Sequence, residues 1–215
     1  IVVLTIAILP LLGIGAYQLM KAEAPGPSID KITPKITHTA KILWFIYLGF
    51  TVAETLLLML GGMDLYDALT HTFGTLATGG FSPKNASVGH YNSVHIDVVI
   101  TVFMLMAGLN FILHYRLLTG NLKSLISNIE MRVYLIIFSA ASLVMALILH
   151  GRYYDSFGES LRYATFQAAS ILTTTGYVTT DYVAWPYVAQ ITLFLLMFIG
   201  GCSGSTGGGI KVIRI

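Results

Sequence analysis

The chain has 215 residues, of which 55% are hydrophobic and only 10% are charged, so a water-covered surface is excluded and a lipid bilayer must cover much of the protein. The formal net charge of +2 and the lack of a dense basic tract give no support for nucleic-acid binding. The single cysteine, Cys202, excludes an internal disulfide and a metal site built from several cysteines.

Apolar stretches alternate with polar links in the first half of the chain. Residues 1–20 are long enough to cross about 30 Å of hydrocarbon, and the polar residues 21–41 contain three prolines and form a link. A second predicted span covers residues 42–60. Residues 64–76 are too short and too polar to cross, so we predict a half-helix there, and a third span follows at residues 94–118.

The second half of the chain repeats this order. A polar link at residues 119–132 leads to the fourth predicted span, 133–149, and a second short helix is predicted within residues 154–172. A fifth span starts at residues 188–199 and is interrupted by a glycine run. Residues 210–215 are predicted to resume the helix. Because the sequence begins and stops within apolar segments, we expect it to be part of a longer protein.

Two short Thr/Gly segments, Ala77–Phe81 and Thr173–Tyr177, each follow a predicted short helix. A shift of 96 residues pairs Gly80 with Gly176 and aligns the aromatic residues that follow them, whereas a shift of 97 would pair Gly79 with Gly176. We prefer the shift of 96, because it also aligns more of the two short helices. The chain therefore contains a repeated unit of span, short helix, Thr/Gly loop and span.

The Thr/Gly loops are typical of a cation filter. Glycine permits backbone torsions that let successive carbonyls face one axis, and carbonyl oxygens replace the hydration shell of the ion in potassium channels. An ordinary external turn is the alternative interpretation of one loop. Two loops after two short helices favour the filter, because irregular backbone at membrane depth needs protein or a cavity around it.

The segment 200–209 contains six glycines in ten residues, and such a run cannot remain helical unaided. It interrupts the fifth span, which indicates either a gate below the filter or close packing against a neighbouring helix. A phosphate-binding loop is excluded, because the run lacks the Gly-Lys-Ser/Thr ending. The candidate gate residues are Gly200, Gly201, Cys202, Ser203, Gly204, Ser205, Thr206, Gly207, Gly208 and Gly209.

The distribution of basic residues predicts the orientation. If the spans alternate, nine of the twelve lysines and arginines fall on one side, and only Lys84, Arg152 and Arg162 fall on the other. The positive-inside rule makes the first side cytoplasmic. The Thr/Gly loops then enter from outside, and the negative ends of the short-helix dipoles face the pore.

Several polar residues within the predicted spans have two interpretations. Glu54 is a functional candidate because a carboxyl inside a span is costly, but a structural acid near the outer interface is an equal alternative. We expect Asn110, His114 and Arg116 to anchor the cytoplasmic end of the third span. The histidines show no metal-ligand spacing, and no acid pair or nucleophile with its base indicates an enzyme.

The stretches His71–Ser82, Thr173–Asp181 and Gly200–Lys211 together resemble the Trk/Ktr/HKT potassium transporters, and most closely the TrkH-type subunit. The resemblance implies an all-α membrane protein with four potassium-channel-like repeats around one pore. Residues 1–20 would be the last span of repeat one, residues 42–118 repeat two, and residues 133–215 most of repeat three. The links 21–41 and 119–132 would be cytoplasmic.

The resemblance also implies functional residues and partners. The family's filter glycines fall on Gly80 and Gly176, and its ion-coordinating positions fall on Thr78, Gly79, Thr174 and Thr175. The glycine run would be the gate. A potassium ion would be carried across a bacterial inner membrane by a multi-pass homodimer that binds a cytoplasmic nucleotide-binding regulatory subunit. Without a first filter loop and a fourth repeat, this segment could not close a four-sided filter alone.

The residues themselves leave a second transport mechanism open. An ion-coupled secondary transporter also uses broken helices at mid-membrane, although it would be expected to have inverted repeats. The repeats here run parallel, because an even number of crossings separates them. Phe81, at the position of Tyr177, further predicts a filter less strict than one built from identical loops.

Overall fold

The computed structural model describes residues 36–121 and 127–214, so the predicted span at 1–20 and residues 21–35 of the first link lie outside the described residues. The described residues form α-helices and 3₁₀ turns and contain no β-strand. The helices are α1 (Ile36–Leu60), α2 (Leu65–Leu76), α3 (Val94–Ala107), α4 (Phe111–Leu118), α5 (Ile129–Leu149), α6 (Phe157–Leu172) and α7 (Tyr187–Leu196), and the 3₁₀ turns are Ser87–His90, Tyr182–Ala184 and Val212–Arg214.

The first long helix ends at Leu60, as predicted, but begins at Ile36, within the predicted link 21–41. The short helix after it lies where the sequence predicts it. α1 ends before Gly61 and Gly62, and Gly62 has the left-handed torsion, φ 97°, that favours glycine. Asp64 then caps α2, because its carboxylate accepts the Asp67 N–H at 2.7 Å. The chain thus turns back within four residues and starts the short helix.

The third predicted span is two helices rather than one. α3 ends at Ala107, α4 begins after Asn110, and the two helix axes are 102° apart. The predicted third span, residues 94–118, is therefore interrupted in the middle. Gly108 weakens the helix, and Asn110 starts a new one, because its side chain accepts the Ile112 N–H at 2.9 Å.

The second repeat of the pattern begins with α5, whose N-cap Asn128 accepts the Met131 N–H at 2.8 Å. The short α6 follows, and α7 ends at Leu196, before the glycine run. The helix predicted to resume after this run is, within the described residues, only the 3₁₀ turn Val212–Arg214. The backbone of the glycine run makes other contacts, which are described below.

Helix length and surface chemistry fit a bilayer. Lys41–Leu60 and Ile129–Leu149 are each long and apolar enough to cross one, and the bent pair α3–α4 is a third candidate. Large apolar side chains lie on the outside of the described structure, with Leu60 80% exposed and Ile129 74% exposed. Such a surface is stable in lipid rather than in water. The protein is an all-α membrane protein, as predicted.

The core joins the two repeats. One buried cluster contains Leu58 and Met104 from the earlier repeat together with Phe166 and Tyr177 from the later one. A second cluster is built around Tyr134, Met145 and Trp185. The first cluster draws on both repeats, so the earlier and the later repeat share one part of the core.

Candidate functional site: the Thr/Gly loops and the glycine-rich segment

The two Thr/Gly loops have the same backbone torsions. Thr78 and Gly80 have positive φ, 50° and 65°, and the residues 96 positions later, Thr174 and Gly176, have φ of 60° and 89°. These matching torsions confirm the shift of 96 rather than 97. A threonine in the left-handed region costs about 1–2 kcal/mol, so the surrounding structure must hold both threonines in this conformation.

The loops also share one hydrogen-bond pattern. The N–H groups of Gly79 and Gly80 donate to the Gly74 carbonyl at 2.8 and 3.2 Å. In the later repeat, the N–H groups of Thr175 and Gly176 donate to Ser170 O at 2.9 and 3.2 Å in the same way.

This pattern determines where the carbonyls point. The peptide group is planar and trans, so each C=O points opposite to the N–H of the next residue. The carbonyls of Thr78 and Gly79 therefore both point away from Gly74, and those of Thr174 and Thr175 both point away from Ser170. Each loop thus presents two successive carbonyl oxygens in one direction.

The two loops lie side by side. A Cβ atom built on Gly80 would lie 1.9 Å from the Thr175 carbonyl oxygen and 3.2 Å from the Gly176 carbonyl carbon. The buried Tyr177 hydroxyl donates to the main-chain oxygens of His71, at 3.0 Å, and Phe81, at 3.3 Å. The two Thr/Gly loops are therefore in direct contact.

The equivalent aromatic residues, however, differ in their packing. Tyr177 is fully buried, and its hydroxyl occupies the space beside Gly74, where a Cβ atom would approach it to 2.1 Å. Phe81, 96 residues earlier, is 80% exposed. Tyr177 thus reaches back to the earlier repeat, and within the described ranges Phe81 has no such burial.

The glycine-rich segment contacts both Thr/Gly loops. Its Thr206 carbonyl accepts the Thr78 hydroxyl at 3.0 Å, and its Gly208 N–H donates to the Thr174 hydroxyl at 2.7 Å. The segment therefore lies directly against the two threonines that have left-handed torsions.

The same segment fills the break between α3 and α4. Thr206 donates to the Ala107 carbonyl through its N–H, at 3.2 Å, and its hydroxyl, at 3.1 Å, while Cys202 N–H donates to Gly108 O at 2.8 Å. In return, the Phe111 N–H donates to Gly204 O at 3.2 Å. Two interrupted helices thus satisfy each other's backbone groups, as buried backbone requires.

Two charged side chains hold the glycine-rich segment at its flanks. Glu130, in the first turn of α5, accepts the Ser203 N–H at 2.6 Å. The Lys211 ammonium donates to the Gly207 carbonyl and approaches the Ser205 hydroxyl at 3.4 Å. The segment is therefore a defined structure, held by side chains from before and after it.

The part played by the polar residues near the break was not evident from the sequence. Asn110 caps α4 and lies against Gly204, where a Cβ atom would come within 3.1 Å of its oxygen. His114 is buried, and its Nε2 lies 2.9 Å from the Met106 carbonyl across the break. Both residues, predicted to anchor the end of the third span, bind backbone groups at the break within it. A Gly-x-Asn sequence inside an apolar run is the signal that could have indicated the break.

A polar cluster lies between the N-terminal end of α2 and the loop after the first Thr/Gly segment. The Asp67 carboxylate accepts the Tyr91 hydroxyl at 2.5 Å and lies 2.9 Å from the Lys84 ammonium. The Tyr91 hydrogen bond and then the Lys84 hydrogen bond lower the pKa of Asp67 below its usual value, and Asp67 raises the pKa of Lys84. This cluster ties the loop to the short helix.

Within residues 36–121 and 127–214, no group of three or more histidine, cysteine or carboxylate residues is arranged to hold a metal ion. The donors that the Thr/Gly loops offer are main-chain carbonyls and threonine hydroxyls. Oxygen donors of this kind are the ligands that selectivity filters present to a dehydrated alkali cation.

Comparison with known proteins agrees with this geometry. Residues 1–215 match the family described as TrkH, a cation transport protein. The Trk system potassium uptake protein TrkH of Salmonella typhimurium is 45% identical over 218 residues, which cover 100% of this chain and 45% of that protein. The potassium uptake protein TrkG of Escherichia coli is 39% identical and is matched over 44% of its length.

A solved structure is similar over the whole chain. The crystal structure of the potassium transporter TrkH from Vibrio parahaemolyticus superposes with a TM-score of 0.81 at 40% identity, covering 100% of this chain and 43% of that one. The chain thus spans less than half the length of the relatives it matches. It belongs to the TrkH family of cation transport proteins.

Proposed function

We propose that this chain contributes two filter loops and a gate to a potassium uptake protein. The parallel carbonyls of Thr78 with Gly79, and of Thr174 with Thr175, carry the proposal, because they form oxygen ligands for a potassium ion that has lost its water. Gly80 and Gly176 permit the torsions that this arrangement needs. The relatives are named as potassium uptake proteins.

The glycine-rich segment is the proposed gate. Its contacts with the Thr78 and Thr174 hydroxyls support an obstruction directly beneath the filter. Its contacts with Ala107, Gly108 and Phe111 mean that displacement would also free the backbone of the helix break. Opening is therefore coupled to movement of α4, which leads to the link 119–132.

The wider architecture is proposed as well. Residues 42–118 and 133–215 are two pore repeats, residues 1–20 are the last span of an earlier one, and the links 21–41 and 119–132 are cytoplasmic. The assembly is a multi-pass homodimer of a bacterial inner membrane, regulated by a cytoplasmic nucleotide-binding subunit. The distribution of basic residues along the sequence, with nine of twelve on the predicted cytoplasmic side and only Lys84, Arg152 and Arg162 on the other, supports this orientation.

Uptake by bacteria that lack their own potassium systems tests the proposal. The full gene product that contains residues 1–215 should restore growth at low potassium and favour potassium over sodium. Gly176→Val should reduce that preference by roughly tenfold or more, because the backbone strain of valine at this positive φ is expected to exceed about 1.4 kcal/mol, which corresponds to tenfold. Gly49→Val, in open space on α1, is the control and should leave the preference unchanged. Unchanged preference in Gly176→Val would remove the filter assignment.

Electrical recording then separates the two transport mechanisms. A filter with a gate predicts currents that reverse at the potassium equilibrium potential and do not depend on a proton gradient. Ion-coupled secondary transport predicts slow turnover that requires the gradient. The second result would overturn the gated pore while leaving potassium as the substrate.

A further inference from the structure

Ser170 holds the end of the second Thr/Gly loop through its side chain. Its hydroxyl donates to the Tyr177 carbonyl at 2.6 Å, and its own carbonyl accepts the N–H groups of Thr175 and Gly176. Ser170 is buried in the last turn of α6. One serine on the short helix thus fixes both the loop and the residue that follows it.

The first repeat lacks this side chain. The residue 96 positions before Ser170 is Gly74. The carbonyl equivalent to that of Tyr177 is the carbonyl of Phe81. Gly74 keeps the backbone part of the arrangement, because its carbonyl accepts two loop N–H groups as Ser170 O does. With no side chain, however, position 74 supplies no donor to the Phe81 carbonyl.

The Tyr177 hydroxyl occupies the place of the missing serine side chain. A Cβ atom built on Gly74 would lie 2.1 Å from the Tyr177 hydroxyl oxygen and 3.2 Å from the Phe81 carbonyl oxygen. The hydroxyl itself donates to Phe81 O at 3.3 Å. A donor from the later repeat thus stands where the short helix of the earlier repeat has none.

The Phe81 carbonyl depends on this donor more than the neighbouring acceptor does. The Tyr177 hydroxyl has one proton to donate, and it also lies 3.0 Å from the His71 carbonyl. His71 O accepts the Thr75 hydroxyl as well, at 2.8 Å. Loss of the Tyr177 hydroxyl would therefore leave His71 O with a side-chain donor and would remove one from Phe81 O.

We propose that Tyr177 is a positioning residue for the first Thr/Gly loop, where it supplies the hydrogen bond that Ser170 supplies in the second. The backbone of Tyr177 is held in its own repeat and its ring is fully buried, so the hydroxyl has a defined position. Phe81 directly follows Gly80, so the bond restrains the first loop at its end. The inference rests on the proposed filter and adds a residue that acts on ion preference through the main chain of another repeat.

Moving the hydroxyl to the short helix tests the proposal in the full gene product. Tyr177→Phe keeps the buried ring and removes the donor, so the preference for potassium over sodium should fall by roughly tenfold, the effect of one buried acceptor left unpaired. Adding Gly74→Ser should return the preference to within about twofold of the parent, because the serine hydroxyl can donate to Phe81 O. The remaining contact, 3.1 Å between the new Cβ and Tyr177 Cζ, needs a shift of only a few tenths of an ångström.

Three further variants are the controls. Gly74→Ala with Tyr177→Phe fills the same space without a hydroxyl and should not restore the preference. Gly74→Ser alone should be impaired, because its Cβ would clash with the Tyr177 hydroxyl. Tyr187→Phe removes the hydroxyl of an exposed tyrosine at the start of α7 and should be parent-like. Immunoblots of membranes verify the amount of each variant.

A parent-like preference in Tyr177→Phe would overturn the proposal, and so would equal preferences in the serine and alanine double variants. Failure of Tyr177→Phe to reach the membrane would make it a folding residue and would likewise overturn the proposal. A serine double variant absent from membranes that contain Tyr177→Phe would mean that serine does not fit this place, which also contradicts it. If Gly176→Val lowered the preference and Tyr177→Phe did not, the filter assignment would stand without this role for Tyr177. If neither variant changed the preference, the filter assignment itself would fail.

Discussion

Gly80 packs against the main-chain carbonyl of Thr175, and a single methyl group at Gly80 would come within 1.9 Å of that oxygen. The contact joins a residue of the earlier Thr/Gly loop to one of the later loop. It means that the position of one carbonyl oxygen depends on the absence of a side chain in the other repeat.

Replacing Gly80 with alanine should therefore disturb both loops. The residue has φ 65°, which disfavours alanine by about 1 kcal/mol or more, and the clash adds to that. We expect potassium uptake to fall by at least roughly tenfold, measured as initial rate in cells without other potassium systems. Gly49→Ala, which meets no atom within 4 Å, is the control, and parent-like uptake in Gly80→Ala would contradict the contact.

Loosening the glycine-rich segment should raise leak. Thr206→Val removes the hydroxyl bond to the Ala107 carbonyl at 3.1 Å, whose net contribution is about 1 kcal/mol, so the obstructing conformation should be less populated. We expect a several-fold larger resting current in reconstituted bilayers. Thr192→Val, whose hydroxyl donates to the Val188 carbonyl within α7, is the matched control. Equal currents in the two variants would favour packing over gating.

Shortening the same segment tests the obstruction more directly. Deleting two glycines from residues 200–209 withdraws the Gly208 N–H from the Thr174 hydroxyl. A larger resting current with potassium selectivity retained is the expected result, because the filter carbonyls would be unaffected. If leak did not change, this segment would not be the barrier to the ion.

The Asp67 cluster should make stability depend on pH at both extremes. The pKa of Asp67 is lowered from 3.8, first by the Tyr91 hydrogen bond and then by Lys84. Its stabilisation is therefore present above about pH 4 and is lost as pH falls through the folded-state pKa. The pKa of Lys84 is raised from 10.5, so its contribution is present below that pH and is lost as pH rises further.

Thermal unfolding in detergent measures this dependence. Parent and Asp67→Asn protein should differ in midpoint temperature near pH 7, and the difference should shrink at acid pH. Asp155→Asn, at an exposed turn, should show no such difference. A difference that stayed constant down to pH 2 would show that the carboxylate charge is not what stabilises the cluster.

The buried ion pair between Asp97 and Arg162 should be costly to break. Arg162 Nε lies 2.7 Å from Asp97 Oδ2 and joins α3 to α6. Arg162→Ala would leave a buried carboxylate without its cation and should cost about 3–5 kcal/mol. Denaturant unfolding of the purified protein measures the loss, and Arg152→Ala, an exposed residue, is the control. A change below about 0.5 kcal/mol would mean that solvent reaches the pair.

Much of the fold was predictable because apolar length and turn residues act locally. The short helix predicted at 64–76 is α2, and the family resemblance from three motifs is confirmed. The repeat shift of 96 was also predictable, since Gly80 and Gly176 must both adopt positive φ for the loops to match.

The helix break was not predictable from hydropathy. Val94 to Leu118 is apolar enough to cross as one span, and the 102° bend depends on partners almost 100 residues away. The Ala107 and Gly108 carbonyls can leave the helix because Thr206 and Cys202 bind them. Periodicity within one segment carries no information about such distant donors.

Tyr177 gives the contact between the repeats a direction. Its hydroxyl enters the earlier repeat beside Gly74 and His71, while Phe81 at the equivalent position is exposed in the described structure. The contact is therefore heterologous, head to tail, and cannot satisfy both of its halves within one pair of repeats. Units joined in this way have no free end only when they form a closed ring, so the rotation between neighbouring repeats determines how many units complete the pore.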